Sequence, residues 1–183
     1  MDAAQLSPTG RVILGMIALG RRTGYEIKQL VDRSTRHFWA ASYGQIYPEL
    51  RRLEEGGLIK GRLEGSGGRT KITYELTPEG SAALHDWLSS DAPLVFEMRN
   101  EGMLKLFFSD VAPETKLAQI RAMRSHYERQ RAELHAIGKD PSEMTTGPGM
   151  TLDLGLGLVE WLIEWCLKAE DRLATAATGG VKA

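Results

Sequence analysis

The chain has 183 residues and a formal net charge of −1, with 42% hydrophobic and 26% charged residues. This is the composition of an ordinary globular protein with one or two domains, and no apolar run is long enough to span a bilayer. The N-terminus has no basic segment followed by an apolar core, so we expect no signal peptide. The one cysteine, Cys166, cannot form an internal disulfide, which favours a buried thiol in a cytoplasmic protein.

The charge is unevenly distributed along the chain. Residues 1–90 contain 12 Lys and Arg against 10 Asp and Glu, whereas residues 91–183 contain 11 against 14. A weakly basic first half suits a small DNA-binding domain whose cations neutralise phosphates, although an excess of two positive charges is weak evidence alone. With Asp91-Ala92-Pro93 as a boundary, we predict a first domain over residues 1–90 and a second over residues 91–183.

Two helices open the first domain. Ser7 and Pro8 predict the start of the first, with a capping hydroxyl followed by proline at the first helical position, and Gly20 ends it. After a turn, a second helix is predicted over residues 24–38. Its expected buried side consists of Tyr25, Ile27, Leu30, Val31 and Phe38.

A third helix, a hairpin and a fourth helix follow. Ser42 is predicted to cap the third helix, with Gln45 completing an approximate capping box, and Gly56-Gly57 ends it. Strands are predicted over residues 58–64 and 71–77, the second with Ile72, Tyr74 and Leu76 on one face. The glycine-rich residues 65–70 form the tip between them. Thr77 caps a fourth helix over residues 78–90, which carries Leu84, Trp87 and Leu88.

The outward face of the third helix is unusual. Ile46, Leu50 and Leu53 form a core stripe at helical spacing, while Gly44 and Pro48 stand on the opposite side, where a solvated face gives no reason for either. Short side chains there leave room for DNA. Glu49, Glu54 and Glu55 are expected to point away from phosphate or to pair with Arg51 and Arg52.

This face predicts a helix that lies in the major groove. Gln45 can offer its amide to adenine and Arg52 can reach a guanine or a phosphate. Tyr43 can donate a hydrogen bond to a phosphate. The hairpin formed by the two strands is expected to supply contacts to the DNA backbone or the minor groove. The predicted DNA-binding residues are Tyr25, Ser42, Tyr43, Gly44, Gln45, Pro48, Arg51, Arg52, Arg62, Arg69 and Lys71. The alternatives are a surface helix with a bend at Pro48 and a solvated hairpin tip.

The second domain is predicted to be all-helical. A short helix covers residues 98–109, and a long one runs from Pro113 to about residue 137. Residues 138–149 read as a loop, and the last helix covers residues 151–176. The long helix carries a heptad seam, which predicts packing against another helix. The seam consists of Ile120, Met123, Tyr127, Gln130, Leu134 and Ile137.

The last helix is apolar nearly all round, so it must be buried on all sides, most simply by a partner subunit. The predicted dimer interface is Leu152, Leu158, Trp161, Leu162 and Trp165. Gly155 and Gly157 indicate either a close helix approach or a helix that starts one turn later. A small apolar or aromatic effector near this interface would be lined by Met103, Phe107, Phe108, Met123, Trp161 and Trp165, for which dimer core is the alternative reading.

No catalytic, cofactor or metal site is predicted. The histidines, His37, His85, His126 and His135, are scattered and lack a second ligand at i, i+3 or i, i+4 spacing. Residues 65–68 resemble a phosphate loop, but no Lys-Ser/Thr follows and no helix starts there.

Several segments together resemble the PadR family, the phenolic-acid-decarboxylase regulators. They are residues 14–19, Thr23-Gly24-Tyr25-Glu26-Ile27, Gly44-Gln45-Ile46-Tyr47-Pro48-Glu49-Leu50, Leu53-Glu54-Glu55-Gly56-Gly57-Leu58-Ile59 and Tyr74-Glu75-Leu76-Thr77-Pro78-Glu79-Gly80. They span residues 8–88 in order. The tip at Gly65–Gly68 departs from the family pattern in being looser than many wings.

The resemblance implies a mainly α protein with an N-terminal winged helix-turn-helix and an all-helical C-terminal dimerisation domain, as in the larger subgroup of that family. It implies a transcriptional regulator, usually a repressor, that binds a pseudo-palindromic operator in double-stranded DNA as a homodimer. The alternative is a winged-helix protein-interaction module that does not bind DNA, which the near-neutral charge favours.

Overall fold

The structure, a computed structural model, describes residues 6–39, 43–64, 71–94, 96–138 and 145–179, with the side chains of residues 43 and 177–179 left out. The chain falls into two compact units, residues 1–94 and residues 95–183. Among the described residues, no helix is both long and apolar enough to cross a membrane.

The first unit has the element order of a winged helix. Its elements are α1 (Pro8–Ala18), α2 (Gly24–Arg33), α3 (Ile46–Glu55), β1 (Ile59–Glu64), β2 (Lys71–Leu76) and α4 (Pro78–Leu88). Two hydroxyl caps are confirmed. Ser7 Oγ accepts from the Gly10 N–H at 2.9 Å, and Thr77 Oγ1 accepts from the Gly80 N–H at 3.0 Å. Gly20, which ends the first helix as predicted, has a φ of 83°.

The second helix is shorter than predicted and ends at Arg33. Ser34 leaves helical geometry, donates its Oγ to the Leu30 carbonyl at 2.6 Å and is followed by a 3-10 turn over Thr35–His37. Phe38 therefore never reaches the inward face and is 61% exposed. The prediction that Tyr25 is buried is also wrong, because its side chain is 64% exposed, whereas Ile27 and Val31 are buried.

The third helix begins later than predicted. A 3-10 turn covers Tyr43–Gln45 and α3 starts at Ile46, with Gln45 as an N-cap that makes no side-chain capping bond. The predicted capping box at Gln45 is therefore wrong, and Ser42 lies outside the described residues. This start places Pro48 in the first turn of α3, where a missing N–H costs no helical hydrogen bond. A bend at Pro48 is not required.

The two strands pair antiparallel, from Ile59 opposite Leu76 to Glu64 opposite Lys71. The predicted alternation in β2 is wrong in part, since Thr73 and Tyr74 are both buried while Ile72 is 45% exposed. A two-stranded hairpin has no layer over its outer end, so an apolar residue there stays in solvent.

The core of the first unit is formed by side chains of α1, α2 and α3 together with residues of the hairpin and α4. Leu84 of α4 belongs to it, whereas Trp87 and Leu88 of the same helix are 37% and 68% exposed. The buried hydrophobic residues are Leu6, Ile13, Leu14, Met16, Ile17, Ile27, Val31, Ile46, Leu50, Leu53, Leu58, Ile59, Tyr74, Ala83 and Leu84.

The regular structure of the second unit is helical in its described residues. It contains α5 (Glu101–Phe107), α6 (Lys116–Ile137) and α7 (Gly147–Gly179), with 3-10 turns over Ser109–Val111 and Pro113–Thr115. The helix α5 is shorter than predicted because Asn100 caps it, its Oδ1 accepting from the Met103 N–H at 3.0 Å. The helix α7 starts at Gly147, earlier than predicted. The alternative that this helix starts one turn later is therefore wrong, and Gly155 and Gly157 both lie in its interior.

The helices α6 and α7 pack against each other along the predicted seam. Ile120, Met123, Tyr127 and Leu134 are buried as expected, whereas Gln130 is half-buried and Ile137 is 43% exposed. From α7 the buried partners are Leu156, Val159, Ile163, Cys166 and Ala169. A Cβ on Gly155 would lie 3.7 Å from Leu134 Cδ1, an ordinary contact, so close helix approach does not explain this glycine.

Candidate nucleic-acid interface

One face of α3 points into the core and the other is open. Ile46, Leu50 and Leu53 are at most 1% exposed, which confirms the predicted inward stripe. Four of the predicted DNA-binding residues in this stretch are exposed: Gly44, Gln45, Pro48 and Arg51. A fifth, Arg52, is half-buried. The exposed residues lie within the first six residues of α3 and in the turn that precedes it.

This surface is flat at Gly44. A Cβ built on Gly44 would have no heavy atom within 4 Å, and its φ is not positive, so neither packing nor backbone geometry requires glycine there. The absence of a side chain therefore has no explanation within the first unit. It leaves the start of α3 open to close approach by another molecule.

The guanidinium of Arg52 is held by Glu49. Arg52 Nε donates to Glu49 Oε1 and Oε2 at 3.1 and 3.0 Å, and Nη2 donates to Oε1 at 2.7 Å. Glu49 Oε1 also accepts from Ser7 Oγ at 2.6 Å. Burial alone would raise the pKa of Glu49, but the hydrogen bonds from Arg52 and Ser7 bring this pKa below its usual value. The carboxylate is thus ionised and fully engaged.

A second glutamate of α3 fixes the hairpin. Glu54 Oε1 accepts from the Gly61 N–H at 2.9 Å, so the helix is tied to β1. A Cβ on Gly61 would lie 2.7 Å from that oxygen. Burial, together with the negative charge of Glu54, raises the pKa of the nearby Tyr74. The bond sets where the hairpin stands relative to the open face of α3.

The helix α2 contributes an exposed phenol. Tyr25 lies on the first turn of α2, and its hydroxyl accepts from Gln29 Nε2 at 2.8 Å, which orients the ring. At the same turn, a Cβ on Gly24 would lie 2.7 Å from Tyr47 Cε1, so Gly24 lets α2 and α3 approach closely. The start of α2 is therefore packed directly against α3.

The hairpin carries two described cations of the predicted set. Arg62 has a 63% exposed side chain and lies 3.9 Å from Glu75 Oε2, and Lys71 is exposed at the end of β2. Arg69 and Ser42 lie outside the described residues, and for Tyr43 only the backbone is described. Nothing in the sequence indicated the bond from Ser7 to Glu49, because these residues are 42 positions apart. The contact of Gln29 with Tyr25 was also missed, although their i, i+4 spacing on one helix indicates it.

A second apolar stripe runs along α7; its first three members are exposed and its last, Trp165, packs against the α6–α7 core. Its members are spaced 4, 3 and 4 residues apart, the spacing of a heptad seam: Leu154, Leu158, Trp161 and Trp165. Leu154, Leu158 and Trp161 are 73%, 57% and 58% exposed, and Trp165 is half-buried. Leu152 and Leu162 of the predicted interface are also half-buried and pack on the α6–α7 core.

The predicted effector-lining residues lie in three places. Phe107 and Phe108 meet edge to face with centroids 5.1 Å apart, and both are exposed, as is Met103. Met123 belongs to the α6–α7 core and Trp165 packs against that core, whereas Trp161 is 58% exposed on α7. Cys166 is fully buried, as predicted, and burial raises the pKa of its thiol.

The ion pairs of Glu170 in the second unit connect two helices. Glu170 accepts from Arg124 Nε at 2.7 Å and from Arg121 Nε at 3.3 Å, which bridges α6 and α7. No group of three or more His, Cys, Asp or Glu side chains that could hold a metal occurs in the part of the chain that the structure describes.

Two family models match the chain. Residues 13–86 match the transcriptional regulator PadR-like family, and residues 98–174 match the C-terminal model of virulence activator alpha. The first match covers the winged helix and the second covers α5, α6 and most of α7.

Individual relatives agree with these matches. The chain is 38% identical over 97 residues to the negative transcriptional regulator PadR of Bacillus subtilis, an alignment that covers 52% of this chain and 53% of that protein. The chain thus aligns with about half the length of this curated relative. The crystal structure of Bacillus subtilis PadR in complex with operator DNA superposes with a TM-score of 0.77 at 25% identity, over 88% of this chain and 97% of that one. The fold of the Bacillus cereus PadR-like regulator BC1756 is also similar, with a TM-score of 0.75 at 24% identity over 93% and 98%.

Proposed function

We propose that this chain is a transcriptional regulator of the PadR-like family, whose model matches residues 13–86, and that it binds operator DNA as a homodimer and represses transcription. The observation that carries the proposal is the open face of α3, where Gly44, Gln45, Pro48 and Arg51 are exposed opposite a fully buried stripe. The fold similarity to a regulator bound to operator DNA supports it.

In this proposal α3 enters the major groove with its N-terminal half foremost. The Gln45 amide is placed to pair with adenine, and Gly44 and Pro48 allow the backbone to approach the base edges. The side chain of Arg51 is exposed, so its guanidinium is available to a guanine or a phosphate. Arg52 is treated separately below.

Phosphate contacts flank the helix. The Tyr25 hydroxyl, oriented by Gln29, is placed to donate to one phosphate, and Ser42 and Tyr43 precede the helix where others would lie. Arg62, Arg69 and Lys71 of the hairpin supply the second flank. The bond from the Gly61 N–H to Glu54 keeps this flank at a fixed distance from α3.

The proposed homodimer forms through the outer stripe of α7. An apolar stripe at heptad spacing that one copy leaves exposed is the surface that an identical helix covers in an antiparallel or parallel pair. Such a pairing buries Leu158 and Trp161, with Leu152, Leu162 and Trp165 at its margins. Two α3 helices then face successive major grooves, about 34 Å apart.

A small apolar or aromatic effector is proposed to bind beside this dimer interface. Trp161 and Trp165 on α7, Met123 on α6, and Met103, Phe107 and Phe108 in or beside α5 are its candidate lining. Binding there changes the separation of the two DNA-binding heads, and this change alters operator affinity. The proposal assigns the chain no catalytic step and places it in the cytoplasm.

Footprinting on duplex DNA from upstream of the chain's own coding sequence tests the proposal. We expect two protected patches centred about 10 base pairs apart, and loss of both in Gln45→Ala at a protein concentration that protects with wild type. The matched control is Gln130→Ala, which removes an amide from α6 in the second unit. A single patch, or protection that survives Gln45→Ala undiminished, would contradict the assignment of α3 as the reading helix.

A further inference from the structure

Two adjacent arginines of α3 stand in different surroundings. The guanidinium of Arg51 is exposed and has no hydrogen bond or ion pair with another described residue, whereas that of Arg52 makes three hydrogen-bond contacts to Glu49 at 2.7 to 3.1 Å. The side chain of Arg52 is 40% exposed and that of Glu49 is 12% exposed. A planar guanidinium held on both carboxylate oxygens has lost its preferred anion-binding edge.

The Glu49 carboxylate is itself held in place. Ser7 Oγ donates to it at 2.6 Å while accepting from the Gly10 N–H, so the carboxylate lies at the N-terminal end of α1. A Cβ on Gly10 would lie 2.7 Å from Glu49 Oε1. A helix N-terminus stabilises an anion, which adds to the grip of Ser7 and Arg52.

We propose that Glu49 is a positioning residue for DNA selectivity: it holds Arg52 against α1, so that Arg52 neutralises no phosphate. This inference rests on the proposed function and deepens it. Every cation that neutralises a phosphate strengthens binding to any sequence equally, because phosphates carry no sequence information. Removing one arginine per protomer from that pool lowers non-specific affinity and leaves base reading by Gln45 and Arg51 unchanged.

The salt dependence of binding measures the inference directly. Each phosphate neutralised contributes about −0.9 to the slope of log affinity against log salt. Glu49→Gln weakens the hold on Arg52, so for a dimer we expect a slope steeper by about 1.8, with a rise in affinity for random duplex DNA and a smaller ratio of operator to random affinity.

Two further variants separate the role of Glu49 from simple charge removal. Glu55→Gln removes the same charge from an exposed position on α3 and is expected to keep the wild-type ratio of operator to random affinity. Glu49→Gln/Arg52→Gln keeps the wild-type charge of the pair with two neutral amides, and we expect it to return the slope to the wild-type value. A double variant with a shallower slope than wild type would overturn the inference, because it would mean that Arg52 contacts phosphate.

A measurement on the wild-type protein does not depend on any variant folding. The Arg52 Nε–H, bonded to both Glu49 oxygens, gives a nitrogen resonance that we expect to keep its chemical shift when operator DNA is added. A shift comparable to that of Arg51 overturns the inference. If the wild-type protein and Glu55→Gln bind no duplex DNA, the proposed function falls and this inference with it. Normal wild-type binding with an unchanged slope in Glu49→Gln overturns this inference alone.

Discussion

Gly80 and Leu58 approach so closely that a Cβ built on Gly80 would lie 1.9 Å from the Leu58 carbonyl oxygen. The same oxygen accepts from the Thr77 N–H and from Thr77 Oγ1, both at 3.1 Å. The start of α4 is thus pressed against the end of α3 and the start of β1. This junction holds the hairpin at the base of the winged helix.

Gly80→Ala is therefore expected to destabilise the first unit by about 2–3 kcal/mol, because the added methyl group meets rigid backbone. Urea unfolding followed by circular dichroism measures the effect. Gly15→Ala is the matched control, since a Cβ there meets nothing within 4 Å, and alanine in a helix interior stabilises by about 1 kcal/mol over glycine. Equal midpoints for the two variants would contradict the structure at this junction.

A substitution at Gly44, in contrast to one at Gly80, should leave stability unchanged and reduce DNA affinity. A methionine at Gly44 meets open space in the protein, so the melting temperature should stay within about 2 °C of wild type. The long side chain would nevertheless stand between α3 and the base edges, and operator affinity should fall at least about tenfold. Fluorescence anisotropy with labelled operator gives the affinity, with Gly15→Met as the control. Unchanged affinity in Gly44→Met would remove the argument that this face approaches DNA.

The outer stripe of α7 predicts the oligomeric state. Leu158→Arg places a charge at the centre of the stripe and should convert a dimer to a monomer at micromolar concentration, because burying an unpaired charge costs several kcal/mol. Glu160→Arg introduces the same side chain at an exposed position off the stripe and should remain dimeric. Sedimentation velocity distinguishes the two. A dimeric Leu158→Arg, or a monomeric wild type, counts against α7 as the interface.

Glu170 predicts an acid dependence of stability in the second unit. The hydrogen bond from Arg124, with a second one from Arg121, lowers the pKa of Glu170 below its reference value of 4.5 despite partial burial. A lowered folded-state pKa means that the ionised carboxylate stabilises the fold above about pH 4.5, and that this contribution is lost as the pH falls through the folded-state pKa.

Glu170→Gln should accordingly lower the free energy of unfolding at pH 7 by about 1 kcal/mol and have a smaller effect near pH 3. Glu164→Gln is the control, because its partner Lys168 forms an exposed i, i+4 pair worth a few tenths of that. Urea unfolding at both pH values gives the comparison. A difference between wild type and Glu170→Gln that grows as the pH falls would have the wrong sign.

Local patterns in the sequence predict the local structure well. The caps at Ser7 and Thr77 and the inward stripe of Ile46, Leu50 and Leu53 depend on residues three or four apart, so they are readable without the fold. The capping box of Thr23 and Glu26 is equally local, yet this stretch reads only as a turn unless the Thr-x-x-Glu spacing is noticed.

Contacts between distant residues were not predictable. The Ser7 to Glu49 bond joins residues 42 apart, so the local pairing of Glu49 with Arg52, which the sequence did predict, gives no sign that α1 also holds this carboxylate. Tyr25 and Phe38 are apolar enough to suggest burial, but whether each is covered depends on where α2 ends and on which helix packs beside it. Periodicity within one helix carries no information about those neighbours.

The open face of α3 and the hairpin are proposed to bind duplex DNA. Fluorescence anisotropy of the labelled upstream duplex, measured with the wild-type protein over a range of salt concentrations, tests this binding. Arg51, Arg62, Arg69 and Lys71 from two protomers predict a log–log slope between about −4 and −7. Saturable binding with such a slope is the expected result. A slope near zero, or no binding at low salt, would contradict DNA binding by this surface and would favour a winged helix that binds protein instead.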